Sequence, residues 1–239
     1  MLKCNLLKTV TTGAAFLAVL TLGMSLLPSP GRADNDNNGS QDEKQMIQTG
    51  LSVAGSIGIQ LKTAGKDPDM VGLGSYLVNV VADCNGCHSV PQTSFAAGGN
   101  PYLLTGSHPP FYSGIRQFNP ATYLGGNQDF GSFGPGPKAE IISRNITPDW
   151  TGMPEGHTLS DFMRIFRTGV DLDNAHPSCP STLPTNCLAF PFNGAVLQVM
   201  PWPAFQNMTD RQITAIYTYL STVPCLEGGP GEPSPRCTH

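Results

Sequence analysis

The sequence predicts a helical fold in which short helices are separated by long loops. Three segments combine a helix-capping signal with an apolar stripe of helical spacing, while 27 glycines and 22 prolines make up about a fifth of the 239 residues. Only 13% of the residues are charged and 39% are hydrophobic, which excludes a coiled coil and a charge-driven disordered chain. Because glycine and proline interrupt helices, the composition also argues against an ordinary helical bundle.

The N-terminal residues have the pattern of a secretory signal peptide. A basic start precedes the uncharged residues 9–27, two prolines follow, and residues 31–33 (GRA) offer a small-x-small cleavage site. We therefore expect a signal peptide over residues 1–33. The alternative is a retained membrane anchor, since the uncharged stretch is long enough to span a bilayer. In both cases the rest of the chain is expected in an exported, oxidising compartment, the bacterial periplasm.

The mature chain is expected to be acidic. Removal of residues 1–33 takes away three basic residues and no acid, which changes the net charge from −4 to −7. This balance disfavours nucleic acid as a partner and predicts docking to proteins that carry basic patches.

Residues 34–66 are predicted to form a linker with a small β-hairpin. The run over 34–44 (DNDNNGSQDEK) lacks apolar residues, as is typical of a flexible segment. Between Leu51 and Leu61 the apolar residues fall on alternate positions, which is strand spacing. A helical stripe that begins at Ile47 fits the same residues, so the sequence leaves both possibilities open.

Three helices are predicted from their start signals. The first covers about 68–83, begins at an Asp-Pro pair and runs straight into Cys84. The second covers 158–168 and the third 210–222, and each follows a threonine with Asp or Gln three residues later, a capping box. A glycine ends the second helix and a proline stops the third.

Residues 90–143 are predicted to be a long loop insertion rich in Gly, Pro, Asn and aromatic residues. A loop of this length inside a compact domain usually has a function or covers another part of the domain. The predicted organisation is therefore a main domain over 67–225 that contains this insertion, followed by a C-terminal tail over 226–239.

The C-x-x-C-H sequence at residues 84–88 points to covalent haem c. The thiols of Cys84 and Cys87 can each add to one vinyl group, and His88 can then present its imidazole to the iron. A redox dithiol is the alternative, but a thioredoxin motif opens a helix and this one is predicted to close one. A zinc site would need a second closely spaced Cys or Cys/His pair, which the sequence lacks. The motif occurs once, so one haem is expected.

A haem with both faces ligated needs a second axial ligand, for which Met200 is the best candidate. Met200 lies in a Val-Met-Pro-Trp-Pro segment, and the prolines hold such a segment extended and rigid. Met163 falls beside a core position of the second helix, where methionine more often packs than ligates, and Met208 precedes a helix cap. The remaining candidates are Met153, His108, His157, His176 and His239, or an open site.

Short segments between residues 74 and 224, about two thirds of the chain, carry a family resemblance. They are Gly74-Ser-Tyr-Leu-Val78, Arg144-Asn-Ile-Thr-Pro-Asp149, Leu159-Ser-Asp-Phe162, Arg167-Thr-Gly169, Met200-Pro-Trp-Pro203, Met208-Thr-Asp210 and Ile216-Tyr-Thr-Tyr-Leu220. Together with the C-x-x-C-H motif, they resemble a class I cytochrome c. They are most similar to the haem domains in the cytochrome subunits of bacterial membrane-bound alcohol, aldehyde and gluconate dehydrogenases.

The resemblance implies an all-α, cytochrome c-like core in which the first and last helices cross. It implies His88 and Met200 as axial ligands and Trp202 as part of the haem-binding segment. It also implies that Arg144 and Asn145 pass near the haem edge, where Arg144 could meet a propionate. Those dehydrogenase subunits usually carry three haems, whereas this chain has one motif.

Four further cysteines are predicted to form two local disulfides. Cys179–Cys187 would close a short proline-containing loop, and Cys225–Cys237 would tie the tail to the end of the last helix. Redox-active thiols are the alternative, but no setting that lowers a thiol pKa is visible in the sequence. We expect the disulfides to brace loops without taking part in electron transfer.

The sequence therefore predicts a monohaem c-type cytochrome without its own substrate chemistry. It would carry single electrons between periplasmic partners, from a dehydrogenase to a cytochrome or oxidase. One alternative is a haem enzyme or a gas or redox sensor with a labile sixth ligand, for which His108, His157 or Arg116 would have to lie over the iron. Another is a haem-bearing assembly subunit of a larger oxidoreductase.

Overall fold

The computed structural model describes residues 35–89, 118–132, 140–174, 178–179, 187–188, 190–228 and 235–238. The predicted signal peptide and much of the predicted loop insertion lie outside these ranges. The part of the chain that the structure describes is mainly helical, as predicted. None of the helices in the described part of the chain has the length and apolar character needed to cross a membrane.

Six α-helices, one π-helical segment and two short strands make up the described architecture. In chain order they are α1 (Asn35–Ser56), α2 (Pro68–Tyr76), the π segment (Leu77–Val81), α3 (Cys84–Cys87), β1 (Asp129–Ser132), β2 (Glu140–Ile142), α4 (Leu159–Thr168), α5 (Trp202–Phe205) and α6 (Asp210–Leu220). The two strands pair antiparallel within the range predicted to be loop.

The predicted linker and β-hairpin over residues 34–66 are wrong, because α1 occupies most of that range. Ile47, Gly50 and Ala54 lie on one face of α1 and are buried. A Cβ atom on Gly50 would lie 2.8 Å from the carbonyl carbon of Gly72, so these glycines let α1 and α2 meet backbone to backbone. The apolar spacing fits a strand or a helix, and packing against α2 selects the helix.

Helix α2 begins where the sequence predicts and ends earlier. The side chain of Asp67 accepts a hydrogen bond from the backbone N–H of Asp69 at 2.9 Å, which confirms the N-cap. The helix continues as the π segment to Val81 and then stops, because Asp83 has a left-handed backbone with φ of 49°. Cys84 therefore opens a short helix of its own, and the prediction of one helix running straight into it is wrong.

Helices α4 and α6 match their predicted ranges to within two residues. The Thr158 hydroxyl accepts from the backbone N–H of Asp161 at 3.2 Å, and Gly169 ends α4 with φ of +67°. Thr209 and Gln212 form a complete capping box at the start of α6.

The crossing of α2 and α6 holds the core together. At Gly74 a Cβ atom would overlap the carbonyl oxygen of Ala215 and would lie 2.6 Å from the Cβ of Tyr219. Beside this contact the Tyr219 and Tyr123 hydroxyls lie 2.7 Å apart, and Tyr123 donates to the Asn79 amide oxygen at 2.6 Å. All three polar side chains are buried, so their mutual hydrogen bonds offset the cost of removing them from water.

We expect Gly74→Ala to lower the free energy of unfolding by about 1–3 kcal/mol, because the added methyl group must push α6 away from α2. Denaturant titration followed by circular dichroism measures the change. Gly55→Ala is the matched control, since Gly55 also lies in a helix but has no atom within 4 Å of the position that the added methyl group would take. It should stabilise by up to about 1 kcal/mol. If both variants had the same free energy of unfolding, α6 would leave room for a methyl group at Gly74, and the close contact of α2 with α6 would be refuted.

Candidate metal centre

A deep apolar cleft lies beside the α2–α6 crossing. Its empty volume is about 1370 Å³ with the open mouth included. Helix α4 contributes two aromatic rings, Phe162 and Phe166, whose centroids are 4.7 Å apart, and Phe166 stacks on Phe205 of α5 at 5.6 Å. The β1–β2 ribbon contributes Phe130 and Ile141. Ligand sites of this kind are mostly apolar with a few placed polar groups.

The C-x-x-C-H residues line this cleft. Cys84, Cys87 and His88 are all part of its wall, and both cysteines are free thiols. Helix α3 makes the motif compact, because the N–H of His88 donates to the carbonyl of Cys84 at 2.8 Å. The buried side chain of Asn85 fixes the turn by accepting from the backbone N–H of Leu124 at 3.0 Å.

The His88 imidazole is oriented as a metal ligand requires. Its Nδ1 lies 2.8 Å from the carbonyl oxygen of Arg144, and because a carbonyl can only accept, Nδ1 must carry the proton. The lone pair is then on Nε2, the arrangement found in metal-ligating histidines. Burial lowers the pKa of His88, and the nearby Arg144 charge adds to this, so the imidazole is neutral near pH 7.

The two thiols are protonated rather than activated. Burial, with help from the charge of Asp83, raises the pKa of Cys84 to about 12. Burial also raises the pKa of Cys87. A redox dithiol needs a readily formed thiolate, so this setting argues against that alternative.

Gly126 is a site residue that the sequence did not reveal. Its N–H donates to the carbonyl of His88 at 2.9 Å, and its backbone has φ of +69°. A Cβ atom on Gly126 would lie 2.5 Å from the Arg144 carbonyl oxygen, the same atom that holds His88. Only glycine allows this approach, and in a glycine-rich loop no local signal distinguishes it.

Arg144 lies at the cleft, but its guanidinium is already engaged. It forms a hydrogen-bonded ion pair with Asp171, and its Nη1 lies 2.8 Å from Asp173 and 3.6 Å from Glu155. The contact of Arg144 with a haem propionate stays a prediction. The observed contribution of Arg144 to the site is its main-chain carbonyl, a role that residue type could not indicate.

Neither Asn145 nor Trp202 is among the described residues that line the cleft. The Asn145 side chain is buried and donates to the carbonyl of Leu226 at 2.9 Å. Trp202 stacks against Gly169, where a Cβ atom would overlap its ring, and its Nε1 donates to the carbonyl of Leu197 at 3.3 Å. In the described structure both residues position neighbouring chain segments.

Two of the candidate sulfur ligands line the cleft. Met200 and Met208 do so, whereas Met163 packs against the core and is not among the described lining residues. Arg167 holds the chain segment around Met208, because its guanidinium donates to the Met208 carbonyl and pairs with the Asp210 carboxylate at 2.6 Å. The sequence thus ranks Met200 first, and the structure narrows the sulfur ligands among the described residues to two.

His157 is not among the described residues that line the cleft and belongs to a polar cluster at its edge. Its Nε2 lies 3.8 Å from the Asp173 carboxylate, which raises the pKa of His157, and Glu155 completes a group of three possible metal ligands. Arg144 already pairs with both carboxylates of this group. His108, His176 and His239 lie outside the described residues.

Both predicted disulfides are confirmed. Cys179 is bonded to Cys187 and Cys225 is bonded to Cys237. Leu188, next to the first disulfide, lines the cleft. The second disulfide joins the tail to the end of α6.

No protein-family model matches the chain, and a search of curated proteins also finds no match.

We expect Gly169→Ala to loosen the segment that carries Met200, because a methyl group would collide with the Trp202 ring. Gly58→Ala is the control, since Gly58 has a similar φ of +80° but no atom within 4 Å of the added methyl. Gly58→Ala should cost about 1–2 kcal/mol through backbone strain alone. Gly169→Ala should cost about 1–3 kcal/mol more and shift tryptophan emission to the red. Equal costs without an emission shift would refute the contact.

Proposed function

We propose that this protein is a monohaem c-type cytochrome that transfers single electrons. The observation that carries the proposal is the placement of Cys84, Cys87, His88 and Met200 on the wall of one apolar cleft. Cys84 and Cys87 suit covalent attachment to a haem, and His88 and Met200 suit ligation of its iron. In a chain that forms two disulfides elsewhere, Cys84 and Cys87 stay as separate thiols, as attachment to a haem would require.

The residues present fit a haem on chemical grounds. The cleft wall is largely apolar, the imidazole of His88 is neutral, and the Arg144 carbonyl fixes which nitrogen is free. A bound haem would supply a one-electron iron couple whose potential the protein adjusts through ligands, hydrogen bonds and exclusion of water.

The chain's own residues each have a defined task in this proposal. Cys84 and Cys87 would hold the group to α3, and His88 would ligate it from a ring that the Arg144 carbonyl keeps from turning. Met200 would supply a thioether from a segment held by Trp202 and by the bond from the Leu197 N–H to the Gly169 carbonyl at 2.7 Å. Phe162 and Phe166 keep water out. Filling both axial positions leaves no place for a substrate, so the task is electron transfer.

The proposed partners are redox proteins, with a dehydrogenase as donor and a cytochrome or oxidase as acceptor. The two disulfides fit an oxidising, exported compartment such as the periplasm. The acidic chain favours partners with basic patches, and their association should slow as salt rises.

One covalent haem is expected on the purified, exported protein. It should stay with the chain through acid–acetone extraction and denaturing electrophoresis, because thioether bonds survive both. Cys84→Ala combined with Cys87→Ala should abolish the haem stain. Cys179→Ser combined with Cys187→Ser should retain it, since that pair forms a disulfide. Loss of haem from the unmodified protein would refute the proposal.

Met200→His should lower the midpoint potential and remove the weak long-wavelength absorption band of sulfur-ligated ferric haem, because a second imidazole favours ferric iron. Met208→Leu is the matched control, as Met208 lines the same cleft, and it should keep the band. The opposite pattern would assign the ligand to Met208.

The unmodified ferrous protein should not bind carbon monoxide at neutral pH. Rapid binding would favour a haem enzyme or sensor with an open sixth site.

A further inference from the structure

We propose that Arg236, in the C-terminal tail, is a positioning residue that sets the haem potential through the hydrogen bond to His88. This inference rests on the proposed haem site and deepens it. Arg236 would act by clamping the chain segment that begins at Arg144, whose carbonyl accepts from the His88 imidazole.

The guanidinium of Arg236 is bound to this segment from inside the protein. Arg236 is only 6% exposed, which is rare for an arginine without a specific partner. Its Nη2 donates to the Thr147 carbonyl at 2.6 Å and to the Asn145 carbonyl at 3.2 Å. In return, the Arg236 carbonyl accepts from the N–H of Trp150 at 2.9 Å. The buried side chain thus holds two carbonyls of the same segment, and the Arg236 backbone holds a third position.

The start of the tail is attached to the same segment. The Asn145 amide donates to the Leu226 carbonyl at 2.9 Å, and the Leu226 N–H donates to the Thr147 hydroxyl at 3.1 Å. Without these bonds a surface tail could not keep a buried arginine in one place.

The end of the tail is held by residues at its start. The carboxylate of Glu227 accepts from the N–H groups of Arg236 at 2.8 Å and of Cys237 at 3.2 Å. The disulfide between Cys225 and Cys237 joins the same two parts of the chain. In this scheme the disulfide carries no electrons, but it keeps Arg236 in place.

The carbonyl that Arg236 holds is one residue away from the carbonyl that holds His88. Asn145, whose carbonyl Arg236 holds, follows directly after Arg144, whose carbonyl holds His88. A displacement of residues 145–147 should therefore move the Arg144 peptide and alter the hydrogen bond to Nδ1.

The geometry and the charge of Arg236 act in opposite directions on the potential. A well-formed bond from Nδ1–H to a carbonyl makes the imidazole a stronger donor and favours ferric iron, so loosening it should raise the potential. Loss of the positive charge should lower the potential, since a nearby cation favours the ferrous state. A lysine keeps the charge, but its chain is one bond shorter and its ammonium lacks the fixed plane that directs the two N–H groups of Nη2 to the two carbonyls, so it separates the two effects.

Arg236→Lys is the test, with midpoint potential and the ¹⁵N shift of His88 Nδ1 in the ferrous protein as readouts. We expect a higher potential, by up to about tenfold in the reduction equilibrium constant or about 59 mV, and a shift towards a weaker hydrogen bond. Arg211→Lys is the matched control, because Arg211 pairs with Glu43 at the surface, and it should change neither readout. If Arg236→Lys matches the unmodified protein in both readouts while retaining haem, the inference is wrong.

A second variant keeps the inference testable if Arg236→Lys does not fold. Cys225→Ser combined with Cys237→Ser releases the tail without any change of charge. It should raise the potential and move the ¹⁵N shift in the same directions. A lower melting temperature with both readouts unchanged would make the tail a purely structural brace and would overturn the positioning role. Absence of covalent haem from the unmodified protein would instead overturn the proposed function.

Discussion

The hydrogen bond between the His88 Nδ1–H and the Arg144 carbonyl is the interaction on which the site depends. It decides which imidazole nitrogen is free, and it ties the C-x-x-C-H turn to a segment 56 residues further along the chain. The Arg144 carbonyl can accept this bond because Gly126 leaves room for its peptide. Gly126, the Arg144 carbonyl and His88 thus act together. No one of these residues, taken alone in the sequence, indicates the hydrogen bond that they form.

The chain segment that carries Met200 is held by a different contact, the packing of an indole ring on a glycine. Gly169 ends α4 and presents its bare backbone to Trp202, which in turn holds the carbonyl of Leu197. Arg167 fixes the chain on the far side of α5 by binding the Met208 carbonyl. Both anchors come from the last turn of α4, so the position of the Met200 segment depends on how this helix packs against the core.

Part of this structure can be predicted from the sequence because it depends on interactions between residues that are close along the chain. Capping threonines predict the starts of α4 and α6 because the hydroxyl bonds a backbone N–H three residues away, whatever the surroundings. Close cysteine spacing predicts both disulfides in the same way. The sequence does not identify helix α1, because its apolar spacing suits two structures, and contact with Gly72, 22 residues beyond Gly50, decides between them.

The sequence by itself determined the chemical groups of the candidate site, the ends of two helices and the two disulfides. These features depend on residue type and on spacing along the chain. Only the tertiary structure decided that Met200 and Met208 line the same cleft as His88, and that the Arg144 carbonyl binds the imidazole while the Arg144 guanidinium pairs with acids. The reason is physical. Every residue other than proline carries the same backbone carbonyl and N–H groups, so a role of the backbone cannot be predicted from residue type. Asn145, Trp202 and Arg236 likewise act on distant segments, and only the fold brings those segments within hydrogen-bonding distance.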